Sequence, residues 1–127
     1  MKLAICGSRN IYPQNVEVHH VLDVFGLTGK KISFLTGCAQ GVDKWVRESG
    51  NEPLIFEANW QAFGKAAGPI RNAEIIKEAD ALLLIWDGSS LGSANVRSLA
   101  KTKGIPIYEI IYPDNKKPAA DDQSGAG

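Results

Sequence analysis

Residues 81–86 read A-L-L-L-I-W, six apolar side chains in unbroken succession. A strand with one wet face alternates apolar and polar residues, so a continuous run predicts a strand covered on both faces, as in the interior of a parallel sheet. Further apolar runs at 2–6, 31–35, 53–57 and 105–111 predict strands, each with a polar or glycine-rich end. Between them the period lengthens. Val18, Val21, Leu22 and Phe25 predict a helix over 14–25, ended by Gly26 and Gly29. Val42, Trp45 and Val46 predict a second helix over 41–49, ended by Gly50-Asn51. Residues 59–68, with Trp60, Phe63 and Gly64, predict a loop or broken helix. A helix over 69–79 starts at Pro69, and another over 95–103 points Val96, Leu99 and Ala100 inwards and is capped by Gly104. Alternating strands and helices predict one α/β domain over residues 1–112, with a mostly parallel sheet of about five strands and helices on both faces. Residues 113–127 hold almost no large apolar side chain and predict a disordered tail.

With 127 residues, 44% hydrophobic and 22% charged, the composition is that of a globular domain. Lys plus Arg equals Asp plus Glu at 14 each, a balance that argues against non-specific nucleic-acid binding. Neither Cys6 nor Cys38 has metal-ligand spacing, so no metal site is expected. The start of the chain lacks the long apolar stretch and cleavage site of a signal peptide, and no apolar run approaches the roughly 20 residues that cross a bilayer. A cytoplasmic setting with reduced thiols is the expectation.

In open parallel sheets, ligands lie outside the carboxyl ends of the strands. That rule gathers four segments onto one rim. Gly7-Ser8-Arg9 offers a tight turn, a hydroxyl and a guanidinium, although alone it reads rather as a strand-end turn with a solvated arginine. Residues 36–43, T-G-C-A-Q-G-V-D, put Thr36, Gly37, Gly41 and Asp43 at a strand-to-helix junction, where unpaired N–H groups favour an anion. The alternative is a tight turn with Asp43 stabilising the helix start. The third segment, Glu57-Ala58-Asn59, leads into Trp60 and Phe63, the better candidates for stacking on a ring; Trp45 continues a core stripe, and Trp86 could go either way. Residues 87–93, D-G-S-S-L-G-S, supply Asp87, Gly88, Ser89, Ser90, Gly92 and Ser93 as a phosphate cradle, or as a capping loop with Ser93 at the cap. To this rim the helix behind Pro69 adds Arg71 and Asn72. A cation in a first helical turn opposes the dipole, which makes sense if it faces a bound anion; otherwise Arg71 pairs with Glu74 or Glu57. His19 and His20 lie mid-helix, away from this rim.

G-S-R at 7–9, T-G-C-A-Q-G-V-D at 36–43, A-G-P-I-R-N at 67–72 and W-D-G-S-S-L-G-S at 86–93 together resemble the SLOG superfamily. This Rossmann-like group contains the Smf/DprA DNA-processing proteins and the Lonely Guy phosphoribohydrolases. The chain looks most like its small stand-alone phage and bacterial members. The resemblance covers about residues 1–111. It implies a nucleotide-like ligand over the sheet edge, a homodimer or higher homo-oligomer, and the cytoplasm of a bacterium or phage-infected host. In the Lonely Guy enzymes an arginine and a glutamate cleave the N-glycosidic bond of a nucleoside 5′-monophosphate. Arg71 matches the arginine, but the glutamate of P-G-G-x-G-T-x-x-E falls on Val96, and Asp87-Gly88-Ser89 replaces Pro-Gly-Gly. Valine can neither stabilise an oxocarbenium-like centre nor activate water.

The expectation is therefore a protein that binds a nucleotide or ADP-ribose-derived molecule without turnover, sensing or sequestering it, a defence signal being one such molecule. No cofactor is implied. Gly7, Ser8, Arg9, Thr36, Gly37, Gly41, Asp43, Trp60, Arg71, Asn72, Asp87, Gly88, Ser89, Ser90, Gly92 and Ser93 are the expected ligand-binding residues. The first alternative is a phosphoribohydrolase using Arg71 with Glu57, Glu74 or Asp87. The second is single-stranded nucleic-acid binding of the Smf/DprA type, whose R-N pair and S-G-S turn are comparable with Arg71-Asn72 and Leu91-Gly92-Ser93.

Overall fold

The structure, a computed structural model, describes residues 1–7, 11, 15–24, 26, 31–37, 40–48 and 51–112. Ser8, Arg9, Cys38, Ala39 and the expected tail lie outside the described residues. In chain order the elements are β1 (Lys2–Gly7), α1 (Asn15–Val24), β2 (Ser33–Thr36), α2 (Gln40–Glu48), β3 (Leu54–Ile55), α3 (Trp60–Phe63), α4 (Ala67–Glu78), β4 (Ala81–Trp86), α5 (Leu91–Lys103) and β5 (Ile107–Ile111). The strands form a five-stranded sheet in the order β3-β2-β1-β4-β5. Every pairing is parallel. The chain winds outward from β1 to β3, then returns across the sheet to β4 and β5. This is a single α/β domain of the Rossmann-like, doubly wound kind, with its topological switch between β1 and β4.

The all-apolar run does what its pattern demands. All six residues of β4 are buried, between β1 and β5. Because side chains alternate across a strand, β1 and β4 feed two separate cores. Leu3, Ile5, Leu83 and Ile85 pack with Val18 of α1 and with Val42, Trp45 and Val46 of α2. Ala4, Cys6, Leu82, Leu84 and Trp86 face the other way and pack with Ile75 and Ile76 of α4 and Val96 and Ala100 of α5. Trp45 is thus core, with Phe34 edge-on to it at 6.4 Å between ring centres. Trp86 is also buried. Its indole N–H donates to Glu109 Oε1 at 3.0 Å, while Arg97 Nε donates to Glu109 Oε2 at 3.0 Å. One carboxylate on β5 thereby satisfies both a buried indole and a helix arginine, and Trp86 is a wall of the core rather than a stacking surface.

Three boundaries differ from the sequence expectation. β3 is only Leu54–Ile55. Its ladder ends where the Phe56 N–H donates to the Thr36 carbonyl at 2.8 Å, and Glu57 and Ala58 leave the sheet. Residues 60–68 form a broken helix, the second of the two forms expected for this segment: Asn59 Oδ1 accepts from the Ala62 N–H at 3.0 Å and caps α3. A 3₁₀ turn, Gly64–Ala66, then runs straight into α4, which starts two residues before Pro69. Pro69 falls in the first turn, where its missing N–H costs no intrahelical bond. Finally, α5 begins at Leu91 with Ser90 as its N-cap, four residues earlier than the periodicity implied and three before the expected cap Ser93.

The carboxyl end of α4 is closed by a side chain from α5. Lys103 Nζ donates to the carbonyls of Ile76, Lys77 and Ala79 at 2.9, 2.9 and 2.8 Å. The Ile76 carbonyl also takes the Ala79 N–H at 3.2 Å, while those of Lys77 and Ala79 are carbonyls a helix end leaves over, and a cation there complements the dipole. Replacing the ammonium by a thioether of similar length, Lys103→Met, is expected to lower stability by about 1–3 kcal/mol in a urea titration, since it strands partly buried acceptors. An unchanged midpoint would show that water satisfies them equally well.

Candidate functional site

The carboxyl ends of β1, β2 and β3 and the amino end of α5 surround a pocket of about 600 Å³. Its floor is Cys6 and Gly7 of β1 together with Val96 of α5, so it continues the α4–α5 core rather than the α1–α2 core. Gly7 is there because nothing larger fits: a Cβ would stand 2.2 Å from the Ile85 carbonyl oxygen of the neighbouring strand. One wall is Arg71 and Asn72, a second is Ser90, Gly92 and Ser93, and the mouth is Glu57, Ala58 and Trp60.

Arg71 is fixed by its neighbours. Its Nη1 donates to the Gly37 carbonyl at 2.7 Å, and its Nε donates to Asn72 Oδ1 at 2.9 Å. Asn72, itself buried, donates from Nδ2 to Asn95 Oδ1 at 3.0 Å and towards the Gly92 carbonyl at 3.4 Å. Of the five N–H donors of a guanidinium, these bonds use two. Among the described ion pairs, Arg71 is joined to neither Glu57 nor Glu74. The early start of α4 puts Arg71 at the fifth helical residue, so the dipole argument for its placement does not apply. What locates the side chain is Gly37, where a Cβ would approach the guanidinium carbon to 3.1 Å. Gly37 therefore serves by leaving room for Arg71.

Opposite stands the amino end of α5. Ser90 makes no side-chain cap, and the helical bonds open with the Ala94 N–H on the Ser90 carbonyl at 3.0 Å. The amides of Leu91, Gly92 and Ser93 precede that bond, as the first N–H groups of any helix do. A Cβ on Gly92 would meet nothing within 4 Å, so a ligand can approach the backbone there. An uncapped helix start facing a guanidinium is a place for an oxyanion.

Several expected residues lie elsewhere. Asp87, Gly88 and Ser89 do not line the pocket. Asp87 Oδ1 accepts from the Ser89 and Ser90 N–H groups at 2.9 and 2.8 Å, and Gly88 has φ 87°. The loop is spent on its own Asx turn, which aims the start of α5. Thr36, Gly41 and Asp43 belong to β2 and α2 and do not line the pocket either. Thr36 is fully buried, with Oγ1 unpartnered. Asp43 Oδ2 accepts from Arg47 Nε at 3.2 Å, one turn on, while its Oδ1 is buried and unpartnered. Glu74 is exposed on α4, away from the pocket, as is Phe63 of α3. Trp60 is at the mouth and 59% exposed. Of the lining residues Cys6 was missed, although the alternation of β1 assigns it to the face shared with Ala4.

Cys6 is buried. Burial pushes its thiol up to about 12, with the Arg71 charge opposing only in part. Between the ordinary value of 9.0 and that level the native chain holds a proton the unfolded chain has lost. Stability from this group is complete below pH 9.0 and falls as pH rises towards 12. Urea titrations over that range should show wild type losing about 1.4 kcal/mol per pH unit relative to Cys6→Ala. Parallel pH profiles for the two proteins would contradict a neutral buried thiol.

No family model matches the chain. A 74-residue stretch is 32% identical to the Gene 61 protein of Mycobacterium phage D29, spanning 54% of this chain and 59% of that protein. The chain thus matches less than two thirds of that relative's length. Two crystal structures of a hydrogenase C-terminal domain from Pyrococcus furiosus align over 86% and 87% of the chain, and over 89% and 90% of theirs, at 18% identity with TM-scores of 0.46 and 0.45. Among the described residues, no helix is long and apolar enough to cross a membrane, and no group of three or more His, Cys, Asp or Glu is placed to hold a metal ion.

Proposed function

We propose that this protein binds a nucleotide or ADP-ribose-derived small molecule without turning it over, as a small member of the SLOG superfamily. One observation carries the reading: a single pocket sets a fixed guanidinium and an uncapped helix start beside an exposed indole. Phosphate would lie between Arg71 and the amides of Gly92 and Ser93, and the base against Trp60. Its volume of about 600 Å³ suits a ligand of nucleotide size. Binding is favoured over cleavage because Val96, where the resemblance calls for a glutamate, is an apolar residue 1% exposed in the pocket floor. The homo-oligomer implied by the resemblance belongs to the same proposal.

Cleavage of a nucleoside 5′-monophosphate is the second reading, and one observation favours keeping it. Of the three carboxylates considered, Glu57 lines the same pocket as Arg71, whereas Glu74 and Asp87 do not. Release of free base from a nucleoside monophosphate, abolished by Glu57→Gln, would establish it.

Calorimetric titration with nucleoside 5′-monophosphates and ADP-ribose tests the binding reading. Arg71→Met removes charge-assisted bonds of about 1.5–3 kcal/mol and is expected to weaken binding roughly 10- to 100-fold. Gly37→Ala, which crowds the guanidinium without deleting it, should weaken binding in the same direction. Absence of heat with every ligand, or wild-type affinity in Arg71→Met, would refute the assignment.

A further inference from the structure

We infer that the mouth of the pocket selects the base, with Glu57 and Trp60 forming a subsite for guanine. This rests on the nucleotide reading above and adds to it a choice among bases. Glu57 and Trp60 both line the mouth, three residues apart in the segment that leaves β3. The turn between them is held by the Asn59 cap on α3. Trp60 stands over Gly68, where a Cβ would lie 3.4 Å from the ring carbon Cη2, so its position is set by α4 while the indole stays 59% exposed. That is a flat apolar platform at the entrance, fit to stack on an aromatic ring.

Glu57 is exposed and takes part in none of the described ion pairs. A carboxylate accepts hydrogen bonds and cannot donate them. It would repel a phosphate, so it must face a neutral, donor-bearing part of the ligand, away from Arg71 and the start of α5. A ring stacked on Trp60 turns its edge towards a residue beside the platform. Guanine offers two adjacent N–H donors on one edge, N1–H and the N2 amino group, which match the two carboxylate oxygens. Adenine and cytosine each place a ring nitrogen acceptor next to their amino group, and that lone pair would oppose the carboxylate. Uracil has a single N–H between two carbonyls. Glu57 thus accepts from one base edge and is mismatched to the others.

The test is calorimetric titration of the full chain with the 5′-monophosphates of guanosine, inosine and adenosine, in wild type, Glu57→Gln and Trp60→Leu. Wild type should bind the guanosine nucleotide at least about tenfold more tightly than the adenosine nucleotide, with inosine, which lacks the N2 amino group, between them. Glu57→Gln should bring guanosine and adenosine within about threefold of each other. Trp60→Leu should weaken all three ligands. Equal wild-type affinities for guanosine and adenosine, with binding still dependent on Arg71, would overturn the base assignment and leave the nucleotide reading standing. Failure of all three to bind would overturn the base assignment, and if ADP-ribose and the pyrimidine nucleotides also give no heat the nucleotide reading falls with it.

Discussion

Everything at the site depends on how Arg71 is held. Its bonds to the Gly37 carbonyl and Asn72 Oδ1 join α4 to the end of β2, and Asn72 carries the connection to α5 through Asn95. Three elements that meet nowhere in sequence are tied by two adjacent side chains. The tie sits at the switch between β1 and β4, where the crossovers diverge to opposite faces and leave a crevice. A guanidinium loose at that point would lose rotamer entropy on meeting an anion; one already bonded on two sides loses less. The structural bonds and the proposed binding role are therefore compatible in one residue, because an arginine has donors enough for both.

The two faces of the sheet divide the work. The α1–α2 face is filled by Trp45, Phe34 and aliphatic side chains. Beside it, Thr36 and Asp43 each keep a buried oxygen unpartnered. The α4–α5 face is filled to the level of Cys6, Trp86 and Val96 and then opens. What keeps it open is a set of small residues with separate causes: Gly7 yields to the β4 backbone, Gly37 to Arg71, and Gly92 to the space in front of the helix.

The fold was legible because strand and helix periods are strong in this chain, and the unbroken run at 81–86 located an interior strand outright. Boundaries were less legible. Periodicity marks α5 only from its apolar inward residues, so the first turn, 91–94, with Gly92 and Ser93 in it, is not legible as helix. Residues 59–68 hold a cap, a 3₁₀ turn and two glycines, and no single period describes them. At the site, Gly7, Gly37, Trp60, Arg71, Asn72, Ser90, Gly92 and Ser93 were brought together in one pocket. Asp87, Ser89 and Asp43 were not, for one physical reason: short polar side chains near helix starts bond locally, and sequence shows the residue type without showing whether its oxygen is already engaged.

The central claim is that an anion belongs between Arg71 and the start of α5. A crystal structure of the protein grown with guanosine 5′-monophosphate tests it most directly. Phosphate oxygens should stand within hydrogen-bond distance of the Arg71 guanidinium and the Gly92 and Ser93 amides, with the base on Trp60. Phosphate bound on the α1–α2 face, or an anion that leaves Arg71 and α5 untouched, would contradict it.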